Sequence, residues 1–341
     1  MELRRRIQAR IEAGLGAIPM ASVLAPVFAL ADRRRVTRRL ELPEGIRVVA
    51  CGGGTLGGSG KTPLAIACAL HLSRLGHSVA LVGHAHRARP GRARRVIPES
   101  LLEEVGDEAQ VSLRALARGG APSVPVVVGP GRASALALAS RLADVLVVDG
   151  ILQFSPRRAD LALLAVDPGA PFGLGGFPGG DRFAVPSLLL GAADAVVSVG
   201  ERPREVFGLP VHVARAQARL FRYPARELLF EELAGVRFGL VTAISRPSRV
   251  RATLARHGLV PSAELELGDH GPLVSGDVGR AGALASREAL DAWIVTEKGP
   301  LAFVPCFVGR EVLTLSLDLS LPDGLTRLLA ARLGSRALTE A

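Results

Sequence analysis

The chain has 341 residues, enough for two ordinary domains with real cores, and a formal net charge of +10 that suits an anionic partner such as a nucleotide or phospholipid. Its three cysteines, Cys51, Cys68 and Cys306, stand far apart with no CxxC spacing and no His cluster beside them, which excludes a disulfide framework and a zinc site and fits a reducing cytoplasm. Aromatic residues at 4% leave few stacking platforms, so no nucleic-acid partner is expected.

The N-terminus pairs Arg4, Arg5 and Arg6 with an apolar stretch over residues 14–30, followed at once by Arg33, Arg34, Arg35, Arg38 and Arg39. Arginines on both flanks lack the one-sided bias that orients a spanning helix, and Pro19 and Pro26 interrupt the stretch. Residues 1–40 therefore read as helices lying on an anionic membrane face. A helix buried in the soluble fold and a spanning or cleaved segment are the competing readings.

Behind the apolar run 46–50 comes Cys51-Gly52-Gly53-Gly54-Thr55-Leu56-Gly57-Gly58-Ser59-Gly60-Lys61-Thr62-Pro63, and then a helical pattern from Leu64 to Leu75. Strand, glycine-rich turn and helix make a phosphate-binding loop. Glycines allow backbone N–H groups to converge on phosphate oxygens, and the helix N-terminus adds positive dipole. Gly57, Gly58, Ser59, Gly60, Lys61 and Thr62 are the expected nucleotide contacts, with Thr62 as a magnesium ligand. Thr55 stands where the strict pattern has Gly. Composition singles out Lys61 again: Asn is absent and Lys61 and Lys298 are the only lysines, as GC-rich coding would produce. A lysine that persists against that pressure fits a role Arg cannot fill.

From 46 onward, apolar runs at 79–82, 124–128, 145–149, 161–167 and 195–199 alternate with helical stretches, which predicts a parallel sheet covered on both faces. The Gly/Pro-rich stretch 168–186 reads as a long loop near the site. A second βα series begins at 236–241 and continues through 293–295 and 312–315. The expected organisation is a kinase-type core over 41–206, a hinge over 207–235 and a smaller α/β lobe over 236–341. The fold class is α/β, a P-loop NTPase-type parallel sheet with a second lobe and a membrane-associated N-terminal segment.

Phosphoryl transfer needs a metal carboxylate and a group that activates the acceptor hydroxyl. Asp149 ends the run Asp144-Val145-Leu146-Val147-Val148-Asp149, placing it at the carboxyl end of a buried strand; it reads as the metal-side carboxylate or as a cap for the next turn. Asp107, in Val105-Gly106-Asp107-Glu108 before a helix at 109–118, reads equally as chemistry or as a helix N-cap. His270, in Leu267-Gly268-Asp269-His270-Gly271, is either a solvated loop residue or a group titrating near neutrality.

These motifs, in this order, resemble the tetraacyldisaccharide 4'-kinases, the lipid A 4'-kinases of Gram-negative bacteria. The likeness covers nearly the whole chain: the loop Gly52 to Pro63 including Thr55, then Val105-Gly106-Asp107-Glu108, Pro125-Val126-Val127-Val128, the strand ending at Asp149 with Leu152, Gln153 and Asp160 beyond it, and Gly268-Asp269-His270 and Thr296-Glu297-Lys298 in the second lobe. The family usually shows a second Asp and a His where this chain has Gly150 and Phe154. The resemblance implies ATP- and Mg2+-dependent phosphorylation of the 4' hydroxyl of a lipid A disaccharide 1-phosphate, by a monomer held peripherally on the cytoplasmic side of the inner membrane. It also implies that Asp107 is the base, made more effective by His270, the two meeting when the lobes close. Two other readings compete. A soluble P-loop NTPase switch or metallochaperone would need a Cys/His cluster that is missing, and a catalytically dead nucleotide-binding homologue would follow from the loss of the second Asp and the His.

Overall fold

The computed structural model describes residues 40–334, apart from 56, 86–87, 151, 153, 156, 176–180, 183–184, 206, 245 and 268–272. The expected membrane segment, save Leu40, and His270 and Gln153 lie outside the described residues. The described chain divides into two compact units, one of residues 40–216 and 319–334 and one of residues 217–318. No described helix is long and apolar enough to cross a membrane.

The first unit is built on β1 (Arg47–Gly53), β2 (Val79–Val82), β3 (Arg94–Arg95), β4 (Val126–Val128), β5 (Val145–Asp149), β6 (Leu161–Val166) and β7 (Ala195–Val199), with spatial order β7-β6-β1-β5-β2-β4-β3. All neighbours are parallel except β3 on β4. The first residues of β8 (Val211–Arg222) extend this sheet beside β7. Helices α1 (Lys61–Arg74), α2 (Leu102–Val105), α3 (Asp107–Arg118), α4 (Arg132–Ala139) and α5 (Pro186–Ala192) connect the strands.

The strands read as unbroken apolar runs because each face has its own cover. Val49 and Cys51 of β1 pack with Leu64 and Leu72 of α1 and Leu116 of α3, while Val48 and Ala50 pack with Leu136 of α4 and Leu189 of α5. Each such fully buried Val or Leu contributes roughly 1.5–3 kcal/mol. The expected strands at 79–82, 145–149, 161–167 and 195–199 stand where the sequence places them, to within a residue. The one expected at 124–128 begins at Val126, after Pro125, which has no N–H to donate to a ladder.

In the second unit β10 (Phe238–Thr242), β11 (Ala263–Glu266), β12 (Ala292–Thr296) and β14 (Arg310–Ser320) form a parallel sheet in the order β11-β10-β12-β14. Two short strands, β9 (Arg226–Leu228) and β13 (Cys306–Phe307), pair antiparallel with the end of β8 and with β14. Helix α6 (Pro247–Arg256) covers one face, where Val250 and Leu254 meet Leu240 and Ile294. Helix α7 (Ser275–Arg287) covers the other, where Ala281 and Ala285 meet Val241 and Trp293. The last described helix is α8 (Asp323–Leu333), whose Leu325, Leu329 and Leu333 are buried in the first unit's core.

Trp293, fully buried, leans over β10 at Gly239, where a Cβ would overlap its six-membered ring. Gly239→Ala should therefore destabilise the protein by about 1–3 kcal/mol through forced displacement of a rigid indole. Urea unfolding measures it, and an unchanged midpoint would show that the ring can yield.

Candidate functional site

The glycine loop leaves the carboxyl end of β1, next to β5, with Cys51 in register with Asp149. Glycine is required where the loop folds back on itself: a Cβ on Gly53 would overlap Ser59 Oγ, and Gly60, at φ +84°, would place one 2.6 Å from Val199 Cγ2. Thr55 explains its own presence, since its buried hydroxyl donates to the Gly57 carbonyl at 2.7 Å and pins the loop. Thr55 also bridges to Arg182, and a Cβ on Gly54 would sit 3.4 Å from Phe172, so the Gly/Pro-rich stretch lies against the loop.

Lys61 and Thr62 open α1, whose first turn contains no acidic residue. The end of the helix facing the loop thus keeps its full positive dipole. Thr62 donates from Oγ1 to Asp149 Oδ2 at 2.7 Å, in a buried bond. Asp149 is 3% exposed, and its other oxygen, Oδ1, has no hydrogen-bond partner. Ser59 Oγ is likewise buried without one. Burial pushes the Asp149 carboxyl above the ordinary carboxylate value and Glu108 pushes it the same way, while Lys61, the Thr62 bond and Arg132 pull it back. The buried free thiol of Cys51 is raised well above the usual range by its hydrogen bond with Cys68 and then by burial.

The sequence reading missed Arg132. It is the first residue of α4, and its Nη1 donates to the Gly83 carbonyl at 3.3 Å. Burial lowers its pKa, whereas Asp149 and Glu108 raise it. Gly150, at φ +89°, follows Asp149, and a Cβ there would stand 2.8 Å from Arg132 Nη2. A guanidinium thus occupies the space into which a side chain at 150 would project. The available signal was an Arg at the head of a helix behind Gly129-Pro130-Gly131.

Asp107 is not the N-cap of α3. Gly106 takes that position at φ 83°, and Asp107 is the first helical residue, its Oδ1 accepting the Glu108 N–H at 2.9 Å. Glu108, 8% exposed, belongs to the electrostatic cluster with Asp149 and Arg132. Asp160 has a structural task, accepting the Val48 N–H at 2.8 Å. Lys61, Thr62, Asp149, Glu108 and Arg132 are thus brought together. Residues 268–272, with His270, lie outside the described part.

The arrangement can hold phosphates on the glycine loop and a divalent cation at Thr62 and Asp149. Orphaned oxygens on Ser59 and Asp149, with carboxylates that repel each other, suit a site completed by a cation and a polyphosphate.

Comparison with known proteins gives a consistent result. The family described as tetraacyldisaccharide-1-P 4'-kinase matches residues 19–334. A tetraacyldisaccharide 4'-kinase of Methylobacterium radiotolerans is 33% identical over 339 residues, covering 93% of this chain and 96% of that protein. One from Gluconobacter oxydans is 33% identical over 285 residues, covering 82% of this chain and 83% of its own length. Among solved structures, LpxK from Aquifex aeolicus in complex with ATP superposes with a TM-score of 0.67 at 18% identity, covering 91% of this chain and 98% of that one.

Proposed function

Since the chain belongs to the tetraacyldisaccharide-1-P 4'-kinase family, we propose that it transfers the γ-phosphoryl group of ATP to the 4' hydroxyl of a lipid A disaccharide 1-phosphate. The observation that carries this reading is the buried bond from Thr62 to Asp149 at the mouth of the glycine loop, which presents a hydroxyl and a carboxylate where a nucleotide-bound magnesium ion would sit.

The loop residues 57–60 and the N-terminus of α1 hold the polyphosphate through backbone N–H groups, and Lys61 neutralises its outer charge. No described cluster of three His, Cys, Asp or Glu residues could hold a metal by itself. Thr62 and Asp149 would therefore share the cation with nucleotide and water oxygens. The bound ion supplies electrostatic stabilisation of charge building on the transferring phosphoryl. Arg132, beside Gly150, adds a second fixed positive charge at the same end of the site.

Asp107 takes up the proton of the 4' hydroxyl, with His270 increasing its effectiveness; the hydroxyl oxygen bonds to phosphorus and ADP leaves. Residues 1–40 dock the monomer on the cytoplasmic face of the inner membrane, where the anionic glycolipid resides.

The test is transfer of label from radiolabelled ATP to the tetraacyl disaccharide 1-phosphate in the presence of magnesium. Wild type should transfer, and Asp107→Ala should lower the rate about 100-fold or more. No transfer by wild type, or undiminished transfer by Asp107→Ala, would reject the assignment.

A further inference from the structure

Two of the three cysteines, separated in the chain by the whole phosphate loop, come together in the fold. Along β1, Val49 and Cys51 belong to one core cluster while Val48 and Ala50 belong to the other, so strand alternation turns Cys51 toward the face that α1 covers. Along α1, Leu64, Cys68 and Leu72 recur at a spacing of four and are all fully buried, so Cys68 stands in the stripe that packs on that face. The two thiols share a hydrogen bond, and neither is in a disulfide. Cys51 directly precedes Gly52, Gly53 and Gly54, so the pair lies at the root of the loop.

Coordination number and charge decide what such a pair can hold. Thiolate sulfurs are soft ligands and select soft ions. Zinc would need four ligands, and among the described residues no group of three His, Cys, Asp or Glu could hold an ion. The ion must therefore be content with two sulfurs. Leu64, Leu81, Val147 and Leu163, fully buried, share the cluster of the two thiols, and Asp149 stands on β5 in register with Cys51. A monovalent ion between two thiolates would leave a net negative charge in that apolar setting beside a carboxyl group. A divalent ion leaves none, which spares the cost of burying a charge.

We propose that Cys51 and Cys68 form a binding site for a two-coordinate, thiophilic divalent cation of the mercuric type. On binding, both S–H bonds break, each sulfur keeps its electron pair and donates it to the metal, and two protons pass to solvent. Nothing is oxidised or reduced. The ion ties the end of β1 to α1, the two segments that the phosphate loop joins, and so acts on the loop without touching the nucleotide. Its effect on phosphoryl transfer rests on the kinase reading above; its binding does not.

The test uses the full chain carrying Cys306→Ser, which removes the exposed third thiol. Titration with mercuric chloride, followed by intact-protein mass, ultraviolet thiolate-to-metal absorption and proton release, reads the site without turnover. A single ion should bind per chain with release of two protons. Cys68→Ala in the same background should weaken binding about 100-fold or more, because the second sulfur is lost as a tethered ligand. Cys68→Ser, which keeps the volume and a hydrogen-bonding group, should weaken it in the same direction, and both variants should leave basal phosphoryl transfer unchanged. One equivalent of mercuric chloride should slow transfer about 10-fold or more in the Cys306→Ser protein and spare the Cys68 variants. Undiminished mercuric binding in both Cys68 variants overturns the proposal, as does release of a single proton per bound ion. Silver ion held as tightly as mercuric ion overturns the choice of a divalent cation. Two-thiol binding that leaves transfer undisturbed overturns the action on the loop. Two-thiol binding in a protein that transfers no phosphoryl group would overturn the kinase reading and leave the site standing.

Discussion

Lys61→Ala should reduce kcat about 1,000-fold or more, with a much smaller change in nucleotide affinity. Backbone N–H groups of the loop and the α1 dipole continue to hold the phosphates, so most ground-state binding survives. What is lost is a mobile ammonium that follows charge as it shifts onto the transferring group. Lys61→Arg should not rescue it, because a planar fork cannot replace a compact ammonium on a flexible stem. The near-complete use of Arg elsewhere in the chain makes this a sharp comparison. Steady-state transfer, together with binding of a fluorescent ATP analogue, separates the two effects. Turnover within threefold of wild type would remove Lys61 from the chemistry.

Asp149→Asn should lower transfer about 100- to 1,000-fold while making the metal-free protein more stable. Asn keeps an oxygen for the Thr62 hydroxyl but withdraws a charge. The sign of the stability effect follows from the direction of the shift. A carboxyl whose folded pKa lies above its unfolded value holds its proton more tightly when folded. That contribution is present below the unfolded pKa and lost as pH rises through the folded one, so at neutral pH the ionised group is a cost. Removing it should raise Tm by a few degrees, given roughly 2–4 °C per kcal/mol in a domain of this size. Added magnesium and ADP should stabilise wild type but much less the variant, because only the wild-type carboxylate favours the cation. Scanning calorimetry with and without Mg·ADP reads both effects. Equal stabilisation of the two proteins by Mg·ADP would take Asp149 out of the cation site.

The glycine loop was legible in the amino-acid order because it is contiguous: strand, turn and helix N-terminus follow one another within twenty residues, and Gly53 closes on Ser59 within the loop itself. Asp149 was legible because an acid closing a buried apolar run can only emerge at the strand's end. Asp107 was half legible. Its position before a helix suggested a cap, and only the backbone at Gly106 shows that the cap lies one residue earlier. Arg132 was half hidden, since its place at the head of a helix behind Gly129-Pro130-Gly131 was readable but its position beside Gly150 was not. Strand β8 fell within the stretch expected to be a hinge, because Arg215, Arg219 and Arg222 break up its apolar pattern and only the sheet supplies its partners.

By itself the amino-acid sequence determined the α/β class, the phosphate loop with Lys61 and Thr62, the acid at the end of β5 and the family. All of these are written in short-range spacing, where backbone geometry and burial act on neighbouring residues. Only the tertiary structure decided that Arg132 fills the space beside Gly150 and that Glu108 and Asp149 repel each other across the site. Those facts depend on which strands lie side by side and on which face each helix packs. Strand order is set by the joint burial of all the apolar faces at once, so no single stretch of sequence encodes it.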